Sequence, residues 1–487
     1  MKTERIGVRV LAALLLILSL AFTGCVAFGT SDEVTPTRGP LDTATMPAGT
    51  EAATASAATT PLTEAATAPA ATTGEAEPGL VERLAARDEI PAFMKSVLET
   101  MHLYYQNCYV GTLGTDEEMA ASITELYLKY RNLIDEGDPG EVTDLLAECY
   151  LAAAGDKYAY YMNPEALAEY NSDISGNYVG IGVQVTNDSV SRKILITAVF
   201  PDTPAIEAGV VPGDTIEAVG DVPVGELTFA EVVNRIRGEE GTDVTVTFGR
   251  GDGTYTVTMT RRSVVQVTAS AKIREGAPKI GVFRISEFDK TTEAQFKAAL
   301  DALLEEGAEG IVFDVRDNPG GLLSAILAIL DYLVPNGTPL ASYLYYDGTT
   351  NATKATDGHE ISPTLPISVI CSAHTASAGE LFTCALQDYA REGLLNVTVV
   401  GSVTFGKGTM QTGIELPEGR ATTISIAYYN PPFSENYEGV GVIPDMIVEL
   451  SEEAQQKSLY VLTEEEDTQM QAAIASVISR IPPEADE

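Results

Sequence analysis

Ser377, Lys407 and Gln411 are the residues of this chain best placed to do covalent chemistry. An apolar strand, Ile367 to Cys371, leads to Thr375-Ala376-Ser377-Ala378-Gly379-Glu380, which opens a helix. Further on comes Thr404-Phe405-Gly406-Lys407-Gly408-Thr409-Met410-Gln411. A hydroxyl at a helix N-terminus sits beside free backbone N–H groups that can hold an oxyanion, and a lysine kept neutral by burial can take the hydroxyl proton. Such a site needs no histidine. Taken alone, Ser377 also suits a helix N-cap and Lys407 a solvated turn. A second reading makes His374, three residues before Ser377, the base of a Ser/His hydrolase, although no residue supplies an obvious orienting partner.

The elements around these residues alternate between two periodicities. Lys279 to Ile285 and Gly310 to Val315 read as strands, and Thr292 to Glu306 and Leu322 to Leu333 as helices. The loop Arg316-Asp317-Asn318-Pro319-Gly320-Gly321 joins the second strand to the second helix. Strand, glycine loop and helix in succession imply a parallel α/β sheet with functional loops at its strand ends. This unit spans residues 264–450 and closes with strand-like segments Thr422 to Tyr429 and Met446 to Leu450. Residues 80–170 are helical in pattern, and the aromatic run from Tyr158 to Tyr161 suits packing better than binding. Residues 451–487 hold a C-terminal helix, about Thr463 to Ser479, expected to return to the N-terminal helices.

Between these units, residues 171–263 are rich in short strands. Tyr178-Val179-Gly180-Ile181-Gly182-Val183, Pro204-Ala205 with Ala208-Gly209, and Pro212-Gly213-Asp214 follow the order of a PDZ domain, which the segment resembles. The resemblance implies that Val179, Gly180, Ile181 and Gly182 hold a peptide C-terminus while an open edge strand accepts an added strand. Ile181, Val183 and the helix at Val232 to Ile236 would line an apolar pocket for the last side chain.

The order of these units and their motifs resembles the C-terminal processing, or tail-specific, serine-lysine peptidases. Their S-A-S-x-E, T-F-G-K-G-x-x-Q and D-x-R-x-N-P-G-G motifs correspond to Thr375 to Glu380, Thr404 to Gln411 and Asp314 to Gly321. The resemblance implies an α/β multidomain chain: a helical N-terminal region, a PDZ-like β-rich domain and an α/β peptidase core. It makes Ser377 the nucleophile, Lys407 the general base and Gln411 the residue that orients the lysine. If Lys407 and Gln411 share a strand, their four-residue separation puts both on one face. The oxyanion donors would be the N–H groups of Ala378 and of Gly320 or Gly321, each worth roughly 3–4 kcal/mol in acyl transfer. No cofactor or metal is implied, the partners are proteins or peptides with free C-termini, and a homodimer is compatible with the family. Gly379 departs from the family's frequent serine, and the interval around Arg391 to Asn396 is longer than in relatives. A catalytically silent PDZ adaptor for extracellular C-termini is the reading from another class.

The N-terminus reads as an export signal, so the chain is expected outside the cytoplasm. Lys2, Arg5 and Arg9 precede the apolar run Val10 to Phe22, followed by Thr23-Gly24-Cys25. This order reads as a secretory signal over residues 1–24, too short for a membrane span. The cysteine after Gly24 resembles a lipobox, so Cys25 is expected to carry a lipid at the outer face of a bacterial cell membrane, although Phe22 departs from the usual aliphatic residue. A signal cut elsewhere, or an uncleaved anchor, is the alternative. Residues 25–79 are Ala, Thr, Pro, Gly and Glu with almost no large apolar residues, the composition of a disordered tether. A net charge of −40 over 487 residues argues against nucleic acid as a partner. Cys108, Cys149, Cys371 and Cys384 have no metal-ligand spacing; they could form two disulfides, but the apolar surroundings of Cys371 and Cys384 favour buried thiols.

Overall fold

The computed structural model describes residues 78–188, 193–356, 359–455, 457–459 and 462–482. The expected signal, Cys25 and nearly all of the tether lie outside these residues. The chain divides into two compact units, and the division falls after Gly155.

Of the described residues, the first unit contains those from 78 to His102 and from Leu113 to Gly155. Its helices begin where capping chemistry allows. Thr115 and Glu118 form a reciprocal capping box ahead of Asp116–Tyr130, and Asp138 caps Pro139–Ala154, which has proline in its first turn and ends at Gly155 with φ of 71°. Leu84, Val97, Leu98, Met101, Ile123, Tyr127, Leu146 and Tyr150 are fully buried in this unit.

In the second unit a six-stranded sheet runs in the order Ala269–Ile273, Ile280–Ile285, Gly310–Asp314, Pro366–Cys371, Asn396–Gly401, Met446–Ile447. The first pair is antiparallel and the others are parallel. Side chains alternate between its faces as strand geometry requires. Ile311, Phe313, Ile367, Val369 and Val399 join the large core that includes residues of helices Thr292–Glu305, Leu323–Leu333 and Ala378–Arg391. Ile280, Val312, Ile370 and Val400 point the other way, onto Ala473, Ile474 and Val477 of the C-terminal helix Thr468–Ile478. Each such side chain contributes about 1.5–3 kcal/mol when fully buried. The C-terminal helix therefore covers one face of this α/β sheet, where the sequence pattern suggests a return to the N-terminal helices. The long interval after Ser377 is a short connection, from the helix end at Arg391 to the strand start at Asn396.

A second sheet pairs Thr409–Leu416 and Pro339–Tyr345 with the long strand Arg420–Asn430. The PDZ sheet runs Val183–Asp188, Lys193–Val199, Thr215–Val219, Asp243–Arg250, Gly253–Thr260, leaving Val183–Asp188 at one end. The four cysteines are free, with Cys149, Cys371 and Cys384 buried.

Candidate active site

Three neighbouring parallel strands end side by side, and each is followed by one of the loops singled out above. Gly310–Asp314 leads to Arg316 through Gly321, Pro366–Cys371 to Ser377, and Asn396–Gly401 to Lys407. Carboxyl ends of parallel strands are where such sheets place ligands. The loops are stitched together by backbone groups. Ala376 N–H donates to Asn318 O at 2.9 Å, Phe405 N–H to Thr375 O at 3.0 Å, and the Thr375 hydroxyl to Val315 O at 2.7 Å.

Ser377 occupies the N-cap position of Ala378–Arg391 with φ of 54° and ψ of −119°. A serine in so sparsely populated a region costs about 1–3 kcal/mol, which its surroundings must offset. Its N–H donates to Glu380 Oε2 at 2.9 Å, and its carbonyl accepts from Tyr437 Oη at 3.2 Å. Glu380 is fully buried and accepts three further hydrogen bonds: Thr404 Oγ1 at 2.6 Å, Gly406 N–H at 2.6 Å and Lys407 N–H at 2.8 Å. One carboxylate thus fixes the backbone of both Ser377 and Lys407. Burial raises its pKa against these four donors, which lower it. A serine three residues before a glutamate has capping-box spacing, a sequence signal that could have pointed to Glu380.

Lys407 precedes the strand Thr409–Leu416 instead of lying on it, so strand alternation does not set Lys407 and Gln411 on one face. It nevertheless lines the same cavity as Ser377, Ala378, Gly321 and Gln411, a space of about 380 Å³. Burial lowers the lysine pKa, opposed by the charges of Asp156, Glu438 and Glu380. Its Nζ sits 5.1 Å from the centre of the Tyr158 ring. Tyr158 also bonds Gly406 O at 3.2 Å and Glu438 at 2.9 Å, and Tyr160 lines the cavity. The aromatic run assigned to packing therefore contributes two of its members to the site.

The two candidate oxyanion glycines differ. Gly320 N–H is engaged by Asn318 Oδ1 at 2.8 Å, which removes it from the donor set. Gly321 N–H and Ala378 N–H have no partner among the described residues. Neither glycine tolerates a side chain. A Cβ on Gly320 would stand 2.7 Å from Ser377 Cβ, and one on Gly321 would stand 2.1 Å from Phe288 O. His374 belongs elsewhere: it lines a separate pocket, its side chain is 81% exposed, and it does have a partner, Asp317 Oδ1 at 3.4 Å.

The PDZ groove, about 220 Å³, lies between Val183–Asp188 and helix Phe229–Ile236 and is lined by Ile181, Gly182, Val183, Phe229, Val233 and Ile236. Two details differ from the sequence reading. Val179 and Gly180 are on a strand, paired with Ser263 and Arg262, which leaves Ile181 and Gly182 as the loop. Val232 is fully buried in the domain core, and Val233 takes its place in the groove.

Residues 279–448 match peptidase family S41. The segment that carries Ser377, Lys407 and Gln411 is thus similar to that family. A PDZ domain matches residues 195–250, ahead of the S41 core. The carboxy-terminal processing protease CtpA of Bacillus subtilis (strain 168) is 29% identical over 318 residues, 65% of this chain and 66% of that protein. A CtpA-like serine protease of Staphylococcus haemolyticus (strain JCSC1435) is 27% identical over 336 residues, 68% of this chain and 66% of the relative. The chain thus spans just under two thirds of the length of these relatives. Among solved structures, the photosystem II D1 C-terminal processing protease is 25% identical with a TM-score of 0.44, covering 72% of this chain and 92% of that one.

Proposed function

We propose that this chain is a serine endopeptidase that cleaves proteins selected through their C-termini. Ser377 Oγ attacks a peptide carbonyl while Lys407, neutral through burial, takes the hydroxyl proton. Ala378 and Gly321 N–H groups hold the oxyanion, and the amine leaves with a proton returned by Lys407. A water activated by Lys407 then hydrolyses the acyl-enzyme. The observation that carries this reading is the convergence of Ser377, Lys407 and the two unpartnered N–H donors on one cavity.

The substrate C-terminus would dock in the PDZ groove, whose edge strand has a partner on one side only among the described residues. Membrane attachment through lipid on Cys25 belongs to the same proposal, supported by the basic, apolar and small-residue order of the N-terminus. So does the homodimer, supported by the family resemblance.

The deciding experiment uses Ser377→Ala and a serine-reactive fluorophosphonate. The wild type should cleave peptides and be labelled, and the variant should fold normally and do neither. Labelling or cleavage surviving in Ser377→Ala above a few per cent overturns the assignment, and an unlabelled wild type that still binds C-termini favours the adaptor.

A further inference from the structure

Gln411 is hydrogen-bonded away from the lysine it was expected to orient; its Nε2 lies 2.9 Å from Thr409 Oγ1 and 3.1 Å from Ser425 Oγ. What lies behind Ser425 decides which end of that amide faces the cavity. The Ser425 hydroxyl donates to Asp156 Oδ1 at 2.7 Å, and Ser425 N–H donates to Asp156 Oδ2 at 2.9 Å. Asp156 is buried and also accepts from Tyr105 Oη at 3.1 Å. A carboxylate only accepts, so the one proton of Ser425 is committed to it. Ser425 Oγ must then accept from its other neighbour, which forces the NH₂ end of Gln411 inward. The carbonyl oxygen is left unpartnered among the described residues.

Backbone register makes the alignment possible. Met410 is opposite Ala427 but Gln411 is opposite Ser425, so Ile426 is bulged out of the pairing. Bulges of this kind re-aim side chains beside functional sites.

We propose that Asp156 is a positioning residue for the Ser377–Lys407 reaction: through Ser425 it turns the Gln411 amide so that its carbonyl oxygen is the atom offered to the Lys407 amine. An acceptor there holds the amine with its lone pair free for the Ser377 proton, and its dipole stabilises the ammonium that forms. A flipped amide would present N–H groups to a cation. The proposal rests on the reading of Ser377 and Lys407 as nucleophile and base.

The test is steady-state peptide hydrolysis by the whole chain carrying Asp156→Asn, Gln411→Ala, or both. Asp156→Asn should lower kcat at least tenfold with KM within twofold. In the Gln411→Ala background the same change should cost less than twofold, because the link it acts through is already gone. Charges facing Lys407 are Asp156, Glu380 and Glu438, the last paired with Lys157 at 2.8 Å, and the phenols of Tyr158 and Tyr429 adjoin it. Removing the Asp156 charge removes an influence that raises the lysine pKa, so the rising limb of the rate profile should move to lower pH. If Asp156→Asn fails to fold, Ser425→Ala cuts the same link and should give the same loss of kcat, again absent with Gln411→Ala. Equal losses in both backgrounds, or no loss, overturn the proposal. Cleavage persisting in Ser377→Ala would instead overturn the reading beneath it.

Discussion

Around Ser377 most backbone donors are committed, and around the PDZ groove they are not. Glu380 takes the N–H groups of Ser377, Gly406 and Lys407, and Asn318 takes that of Gly320, leaving Gly321 and Ala378 free at the cavity. In the PDZ domain the strand Val183–Asp188 pairs, among the described residues, only with Lys193–Val199 and offers its other edge beside an apolar groove. A reacting atom tolerates little displacement, so buried carboxylate and amide groups fix the loops that surround it. A docking chain varies in sequence, and an open strand edge reads backbone that every peptide has.

The largest test of the fixed region is Lys407→Arg. A guanidinium stays protonated at any working pH, so cleavage should be abolished while the fold persists. In the wild type, kcat/KM should rise with pH through a value below the ordinary lysine pKa, because burial favours the neutral amine and only that form accepts the serine proton. A fully active arginine variant breaks the distinction between the two regions at its first step.

Next in size is a paired glycine comparison. Gly321→Ala places a methyl 2.1 Å from Phe288 O at a φ of 132°, and should lower kcat by about tenfold to a hundredfold through the displaced oxyanion donor. Gly213, in the PDZ domain at φ of 93°, has open space where a Cβ would stand, with nothing within 4 Å. Its alanine variant should lose about 1 kcal/mol or more of stability from backbone strain and leave kcat unchanged. Thermal unfolding and kinetics on both variants check this, and equal kinetic losses would remove the contrast.

The smallest effect belongs to the adaptable region. Under subsaturating conditions a substrate with a free apolar C-terminus should be cut several-fold faster than the same chain amidated or ending in aspartate. Val233→Asp should erase the preference. Equal rates for all three substrates would show that the groove takes no part in selection.

The strand-loop-helix units were legible because each is local: period-two apolar runs, glycine loops and a serine at a helix start lie within a few residues of one another. Pairing between distant segments was not. Asp156 and Ser425 are 269 residues apart, and only the bulge at Ile426 brings Gln411 opposite that serine. Tyr158 reads as packing in sequence because nothing nearby announces that Lys407 will lie over its ring. The choice between Gly320 and Gly321 depends on where the Asn318 side chain turns, and that between Val232 and Val233 on the rotation of one short helix.

Arg316, in the loop that ends at Gly321, is 2% exposed and paired with Asp314 and with Asp467, each at 2.8 Å. Burial raises the Asp314 pKa, but the guanidinium outweighs it and holds that carboxyl at about 2. Asp467 also caps the C-terminal helix, accepting from Met470 N–H at 2.9 Å. It lies 151 residues downstream of Arg316. An order of folding follows: the loop that ends at Gly321 reaches its final shape only once the C-terminal helix has docked and Asp467 has completed the pair around Arg316.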